Sequence, residues 1–128
     1  MQFLTINCLT ASDYVIIPVL AETLPTLGVQ GFIDSVNEYV IDEELNEDLR
    51  VLGILISQYN PNPILSRNLV ELMETEFPGA VFNTRIRRNI AISEAQAQKM
   101  DVYSHAPESN GSADYTAFTE EVIKLLQA

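Results

Sequence analysis

Three arginines stand close together near the middle of this sequence, and they form its one cluster of basic residues. Arg85, Arg87 and Arg88 occupy or follow a stretch, 81–87, in which apolar and polar residues alternate. That period of two predicts a strand with one polar face. At the carboxyl end of a parallel strand the arginines would bind an anion, because open α/β sheets place their ligands there. On an edge strand they would instead guard against aggregation, and the residues alone leave both interpretations open.

The sequence lacks the loop that usually holds nucleotide phosphates. Neither G-x-x-x-x-G-K-[ST] nor G-x-G-x-x-G occurs, and only five glycines are present. In such loops backbone N–H groups and a lysine bind the β- and γ-phosphates. We therefore expect that these 128 residues form neither a γ-phosphate clamp nor a catalytic magnesium site.

Other catalytic or metal-binding patterns are weak. Asp101, Ser104 and His105 supply the residue types of a Ser-His-Asp triad, but most proteins contain such a set. The single histidine and the single cysteine, Cys8, are far apart and do not have zinc-ligand spacing. Many acids lie along 34–48, where no apolar surroundings would shift a pKa, so we expect a solvated helix face there.

Charge and cysteine content constrain the partners and the compartment. Seven basic and eighteen acidic residues give a net charge of -11, which repels nucleic acid and lipid headgroups. DNA binding by this chain alone and membrane binding are therefore disfavoured. A single cysteine fits a reducing compartment. The longest apolar run, 15–21, contains Pro18 and falls short of the roughly 20 residues that span a bilayer, so we expect a soluble cytoplasmic protein.

Helical and strand patterns alternate along the chain. Continuous β-branched runs over 14–19 and 51–57 predict two strands buried on both faces, and 81–87 is the third strand. Asn62 is expected to cap a helix that has Pro63 at its first position. Ser93 and Gln96 are spaced as a capping box. Helices are predicted over 3–11, 29–40, 63–77, part of 90–100, and 113–128.

This alternation predicts an α/β fold: three layers, with a mainly parallel sheet flanked by helices. Residues 1–128 fit one domain. A parallel sheet of only three strands leaves an unpaired apolar edge, which is an aggregation hazard. We therefore expect the edge to be covered by further sequence or by a partner chain.

Several segments, taken in order, resemble the C-terminal half of a ParA/Soj-type partitioning ATPase, a relative of MinD with a deviant Walker motif. The first resembles the stretch after the Walker B segment of that family, the next its following strand, and the last its tail before a final helix. The segments are Leu4–Val19; Leu52–Ser57; Val81–Ile86 followed by Arg88-Asn89 and Ser93-Glu94-Ala95; and Tyr103, Pro107, Ser109, Gly111, Ala113 and Tyr115.

The resemblance implies a P-loop NTPase fold and a base-binding role for two loops. In that family adenine lies between the loops that follow the second and third of these strands. Carried over, the binding residues are Ser57 and Gln58 on one side and Arg87, Arg88 and Asn89 on the other. The full-length family binds ATP or ADP, dimerises and helps to segregate plasmids or chromosomes. This chain alone is not expected to bind nucleotide tightly.

Two departures from the family stand out, and two functions remain open. The family usually has proline at the position of Arg87, and Ala91 replaces a basic residue that helps to bind DNA. The first hypothesis is that the chain is the C-terminal portion of a ParA-family ATPase. It would carry the base-side part of the nucleotide site and lack the Walker A and B motifs. The alternative is a stand-alone, non-catalytic interaction module that dimerises through the exposed sheet edge. The expected partner is accordingly an N-terminal half or a second copy.

Overall fold

A computed structural model describes residues 1–21, 26–60 and 64–128. The predicted helix cap Asn62 with Pro63 lies outside the described residues. A π-helical turn, Asn37–Ile41, extends the second helix. The elements are α1 (Phe3–Thr10), β1 (Tyr14–Leu20), α2 (Thr26–Val36), β2 (Arg50–Ser57), α3 (Ile64–Glu76), α4 (Ile90–Ala97), α5 (Val102–His105) and α6 (Asn110–Gln127).

The two strands pair in parallel, and one face of the pair forms the main core. Ile17 lies opposite Ile54, and Val19 lies opposite Ile56. These side chains are buried, and both β2 isoleucines are fully so. Helices α2 and α3 cover this face, as the right-handed crossover between parallel strands requires. Their buried contributions are Val29, Leu69, Val70, Met73 and the following Phe77.

The other face of β2 is covered by the C-terminal helix. Leu55 points away from the main core and packs in a second cluster with Phe82 and Ile86. Phe118 of α6 meets Phe82 edge-to-face, with ring centroids 5.0 Å apart, an arrangement that aromatic rings favour. Helices thus lie on both sides of β2, and the predicted α/β architecture with a parallel sheet between helical layers is confirmed.

Strand β1 differs from its prediction. Ile17 and Val19 are buried, but Tyr14, Ile16 and Leu20 are 37 to 48% exposed. The prediction that β1 is buried on both faces is therefore wrong for the described part of the chain. Pro18 pairs with Leu55, so the bare face of β1 is the face that α6 covers over β2. The apolar run reflects a surface that the described residues do not cover.

The third predicted strand forms only in part. The segment 80–88, below called the third segment, runs beside β2 and makes isolated parallel bridges at Val81 and Arg87. Between these bridges Phe82 and Ile86 still donate backbone hydrogen bonds to Ile54 and Ile56 of β2, at 3.0 and 2.9 Å. The ladder is interrupted between those two residues, where the N–H groups of Asn83 and Thr84 each donate to Glu121 of α6 at 2.8 Å. Within the described residues the regular sheet therefore has two strands, not three.

Helix α1 and the end of α2 enclose a smaller core. Leu9, Val36, Val40 and Leu49 are buried together. The side-chain amide of Asn46 donates to three carbonyl oxygens at the end of α1, at 2.7 to 3.1 Å, and so fixes that end. The predicted solvated acidic face is confirmed, because its members are exposed: Asp34, Glu38, Asp42, Glu43, Glu44, Glu47 and Asp48.

Candidate functional site

A cavity of about 490 Å³ lies where β2 and the third segment end. Both run in the same direction, so their carboxyl ends meet at one edge of the sheet. This volume lies within the usual range of small-molecule sites. All five predicted site residues line the cavity, but their ligand-binding role stays a prediction. The lining residues are Ser57, Gln58, Ile86, Arg87, Arg88, Asn89, Ile90, Ile92, Ser93 and Tyr115.

The end of β2 places Ser57 and Gln58. The hydroxyl of Ser57 donates to the carbonyl oxygen of Val19 at 3.1 Å, which ties this residue to β1. Gln58 has a φ of 53°, in the left-handed region that few residues other than glycine adopt. This conformation ends the strand and turns the chain, so that Tyr59 exchanges backbone hydrogen bonds with Ile86 and Arg88 at 2.9 and 3.0 Å.

Arg87 is held by an aspartate of α6. Its guanidinium makes a bidentate contact with Asp114, with Nη2 2.9 Å from Oδ1 and Nε 3.1 Å from Oδ2. The backbone N–H of Arg87 also donates to Oδ2 at 2.9 Å. The hydrogen bonds to Asp114 raise the pKa of Arg87 above its ordinary value, against the opposing effect of burial. Arg87 therefore lines the cavity with its Nε and Nη2 atoms already bonded to Asp114.

The other two arginines have different surroundings. Arg88 is exposed and lines the cavity. Arg85 lies away from it, with its guanidinium carbon 5.4 Å from the centre of the Tyr59 ring and Nη2 3.5 Å from Glu74. A cation over an aromatic face is a stabilising contact. The three arginines of the cluster thus have separate surroundings: Arg85 lies over an aromatic ring, Arg87 pairs with Asp114, and Arg88 is exposed at the cavity.

Asn89 begins the helix that forms the far wall of the cavity. Its side-chain oxygen accepts the N–H of Ala91 at 2.9 Å and caps α4. The predicted capping box of Ser93 and Gln96 is therefore wrong: α4 begins at Ile90, and Ser93 lies inside it and faces the cavity. The sequence patterns did not predict Asn89 as a helix cap, although an asparagine before an apolar run is a recognised signal for a helix start.

The residues that could supply a Ser-His-Asp triad, Asp101, Ser104 and His105, make local structural contacts. Asp101 caps α5 by accepting the N–H of Ser104 at 2.8 Å, and this hydrogen bond lowers the pKa of Asp101. His105 Nε2 lies 3.4 Å from Glu94. Among the described residues, no group of three or more His, Cys, Asp or Glu side chains is placed to hold a metal ion.

An apolar groove of about 290 Å³ runs beside β1, at the edge where the sheet of the described residues ends. Its walls come from β1 and from Gly28, Val29 and Phe32 of α2. Together with the exposed Ile16 and Leu20, this groove forms what we call the β1 surface. No helix in the described part of the chain is long and apolar enough to cross a membrane.

Comparisons with known proteins identify relatives over nearly the whole chain, although no protein-family model matches it. It is 35% identical over 124 residues to the chromosome-partitioning ATPase Soj of Thermus thermophilus. It is 33% identical over 122 residues to the sporulation initiation inhibitor protein Soj of Bacillus subtilis, and 33% over 128 residues to a ParA family protein of Chlamydia trachomatis. These matches cover 95 to 98% of this chain and 47 to 49% of each relative.

Solved structures confirm the fold. Two structures of cobyrinic acid a,c-diamide synthase from Mycobacterium smegmatis, one with ADP and one with an ATP analogue, both with magnesium, superpose with TM-scores of 0.74 and 0.77. Their sequence identities are 25 and 24%, and they cover 98 and 99% of this chain but 43 and 45% of the synthase. The chain spans about half the length of the curated relatives it matches.

Proposed function

From its homology to the C-terminal half of ParA/Soj-type partitioning ATPases, we propose that this chain supplies the base-side wall of an adenine nucleotide site. The cavity at the carboxyl ends of β2 and the third segment is the observation that carries this proposal. Open α/β sheets bind ligands at that edge. The Thermus thermophilus relative is a chromosome-partitioning ATPase, and we extend that role to a protein containing this chain.

The lining of the cavity fits a nucleotide base. Uncharged hydrogen-bonding groups come from Ser57 and Gln58 on one side and from Asn89 and Ser93 on the other. Ile86, Ile90 and Ile92 also line the cavity, and apolar lining of this kind is usual in small-molecule sites. Bound ATP supplies the phosphoryl group in this chemistry, and the residues of this chain would bind and orient its base.

Phosphate and magnesium would be held outside this chain. Its sequence contains no P-loop pattern, and such a loop carries the phosphate-binding amides and lysine. We therefore propose that the chain alone does not hydrolyse ATP. The net charge of -11 disfavours DNA binding by these residues alone. A cytoplasmic location fits this proposal, because the single cysteine Cys8 has no intramolecular partner.

The β1 surface is the proposed docking site for a P-loop-containing half. The described part of the sheet ends at β1, which pairs only with β2. A strand added there would complete the backbone ladder, and its side chains would enter the apolar groove and cover Ile16 and Leu20. Such an edge with apolar neighbours on both faces is suited to a strand that is itself apolar on both faces.

Complementation tests this function. The chain is mixed with the separately produced half of Thermus thermophilus Soj that it does not match, and ATP hydrolysis is measured. We expect hydrolysis from the mixture and none from either part. Ile16→Glu places a charge on the β1 surface and should abolish complex formation, whereas Glu43→Gln, on the exposed acidic face, should not. A stable complex without ATP binding would contradict the nucleotide role.

The position of β1 at the end of the described sheet also supports a second candidate, a non-catalytic module that dimerises through β1. Two copies pairing at this edge would extend the sheet and cover both bare faces. The repulsion between two chains of charge -11 opposes that association. Light scattering after size exclusion distinguishes the candidates. A dimer that Ile16→Glu dissociates supports the module, and a monomer at all concentrations contradicts it.

A further inference from the structure

Two carboxylates of α6 hold the third segment at two points. Glu121 accepts the N–H groups of Asn83 and Thr84, each at 2.8 Å. Asp114 accepts the N–H and the guanidinium of Arg87. The two acids are seven residues apart, about two helical turns, so they lie on the same side of α6. Only the Asp114 contact lies at the cavity.

Asp114 is placed to control the shape of the cavity. It is 9% exposed, and it comes directly before Tyr115, which lines the cavity. One turn earlier, α6 packs closely on α4: a β-carbon at Gly111 would lie 2.7 Å from Ile92 Cγ1. Asp114 thus joins three lining elements, since it binds Arg87 from a helix that is itself packed against α4.

The Asp114 contact also decides how much of the Arg87 charge the cavity presents, whereas Arg88 lines the cavity separately. Arg87 has its Nε and Nη2 donors directed to the carboxylate, and a bidentate arginine–carboxylate pair is among the stronger hydrogen-bonded contacts in proteins. A ligand phosphate would have to compete with a carboxylate that is already in place. The positive charge of Arg87 is therefore largely cancelled at the cavity wall.

We propose that Asp114 is the positioning residue of the base cavity, fixing the loop from Arg87 to Asn89 and withholding the Arg87 guanidinium from ligand phosphates. This inference rests on the proposed function, because it assumes that the cavity takes a nucleoside. It identifies the preferred ligand part as the uncharged ring and sugar. Asp114 does not line the cavity and acts through Arg87.

The matched pair of variants is Asp114→Asn and Glu121→Gln. Each removes one carboxylate of α6 that holds the third segment, but only the first lies at the cavity. Amide NMR titrations with adenosine and with ADP report both the affinity and the residues that respond. Adenosine should shift the amides of Ser57, Gln58 and Asn89 in the unmodified chain.

Asp114→Asn should weaken adenosine binding at least about fivefold, because the loop loses its anchor. It should also raise the affinity for ADP relative to adenosine at least about threefold, because Arg87 is released. Glu121→Gln should leave both affinities within about twofold. In the double variant Arg87→Gln/Asp114→Asn the gain in relative ADP affinity should disappear. Persistence of that gain, or equal losses in both single variants, would overturn the inference.

If Asp114→Asn does not fold, Arg87→Gln provides the test. The Arg87 side chain is 41% exposed, and its backbone contact with Asp114 would remain. Adenosine affinity should fall at least about threefold, and an unchanged affinity would overturn the inference. Failure of the proposed function has a different signature: the unmodified chain would then show no adenosine shifts at the cavity. Binding by the unmodified chain that neither variant changes refutes the positioning role alone.

Discussion

Strands β1 and β2 lie side by side in one sheet but have different surroundings. β2 has α2 and α3 over one face and α6 over the other, and neighbours along both edges. In the described residues β1 has one covered face and one neighbour. Both strands are rich in β-branched and leucine residues. Their apolar composition is therefore similar, although the burial of their side chains differs. An apolar strand in the sequence therefore predicts that both of its faces are covered by other protein. The structure shows which of those faces the described residues of this chain cover.

The largest expected difference between the strands is in the cost of removing an isoleucine. Ile54 of β2 is fully buried, so Ile54→Ala should lower the free energy of unfolding by about 2–5 kcal/mol. Ile16 of β1 is 37% exposed, and Ile16→Ala should cost less than about 1 kcal/mol. Urea unfolding followed by circular dichroism measures both. Equal losses would mean that the bare face of β1 is covered in the isolated chain.

A glycine in β2 tests how tightly its α6 side is packed. A β-carbon at Gly53 would lie 2.8 Å from Phe82 Cε2 and 3.1 Å from the carbonyl oxygen of Ala80. Gly53→Ala should therefore destabilise the fold by about 1–3 kcal/mol. Gly31 of α2 has nothing within 4 Å of its added β-carbon, so Gly31→Ala should stabilise by about 0.5–1 kcal/mol. A neutral Gly53→Ala in the same unfolding assay would contradict the close packing.

Much of the fold could be predicted because the local patterns determine it. The run at 51–57 predicts β2 with both faces buried, and the apolar spacing from Val29 predicts α2. The partial departure of the third segment from the ladder could not be predicted, because Glu121 and Asp114 bind it from 27 to 38 residues away along the chain. The period of two at 81–87 contains no information about those carboxylates. Apolar runs also do not specify which chain covers them, and this explains the error at β1.

The resemblance predicted residues that lie together in one cavity, but it did not predict how their charges are paired, and their ligand-binding role stays a prediction. The family resemblance named all five residues that now share one cavity with other side chains. It gave Arg87 as a binding residue, and the structure places that guanidinium on Asp114. Asp114 is one of eighteen acids in the sequence, on a helix whose polar positions look alike. Only the packing of α6 against the third segment distinguishes it from the others.

Glu121 makes a pH-dependent contribution to the free energy of unfolding, on the side of the sheet that α6 covers. This contribution is expected to be smaller than the effects of the substitutions in β2. Burial alone would raise the pKa of Glu121, but hydrogen bonds from Asn83 and Thr84 outweigh it and hold the pKa below its ordinary value. Its contribution is then present above the unfolded pKa of about 4.3 and is lost as the pH falls through the folded value. Glu121→Gln should cost about 1 kcal/mol at pH 7, since the carboxylate is partly solvated.

The difference in stability between Glu121→Gln and the unmodified chain should stay constant from pH 7 to about 5 and shrink below about pH 4. Urea unfolding at several pH values measures it. Glu120→Gln is the matched control, because the neighbouring Glu120 is exposed, and its substitution should change stability by less than about 0.5 kcal/mol. A difference for Glu121→Gln that grows on acidification would contradict the lowered pKa.

The smallest effect on the isolated chain is expected at Leu20, on the uncovered side. Leu20 is 45% exposed, so Leu20→Ser should change the free energy of unfolding by only about 0.5 kcal/mol. The same substitution removes apolar area from the β1 surface and should weaken association with the Soj half at least about tenfold. Titration calorimetry measures that association, with Leu45→Ser, at an exposed leucine outside the β1 surface, as the control. Because folding and binding respond to different surfaces, a Leu20→Ser variant that unfolds easily but binds normally would reverse the assignment of β1.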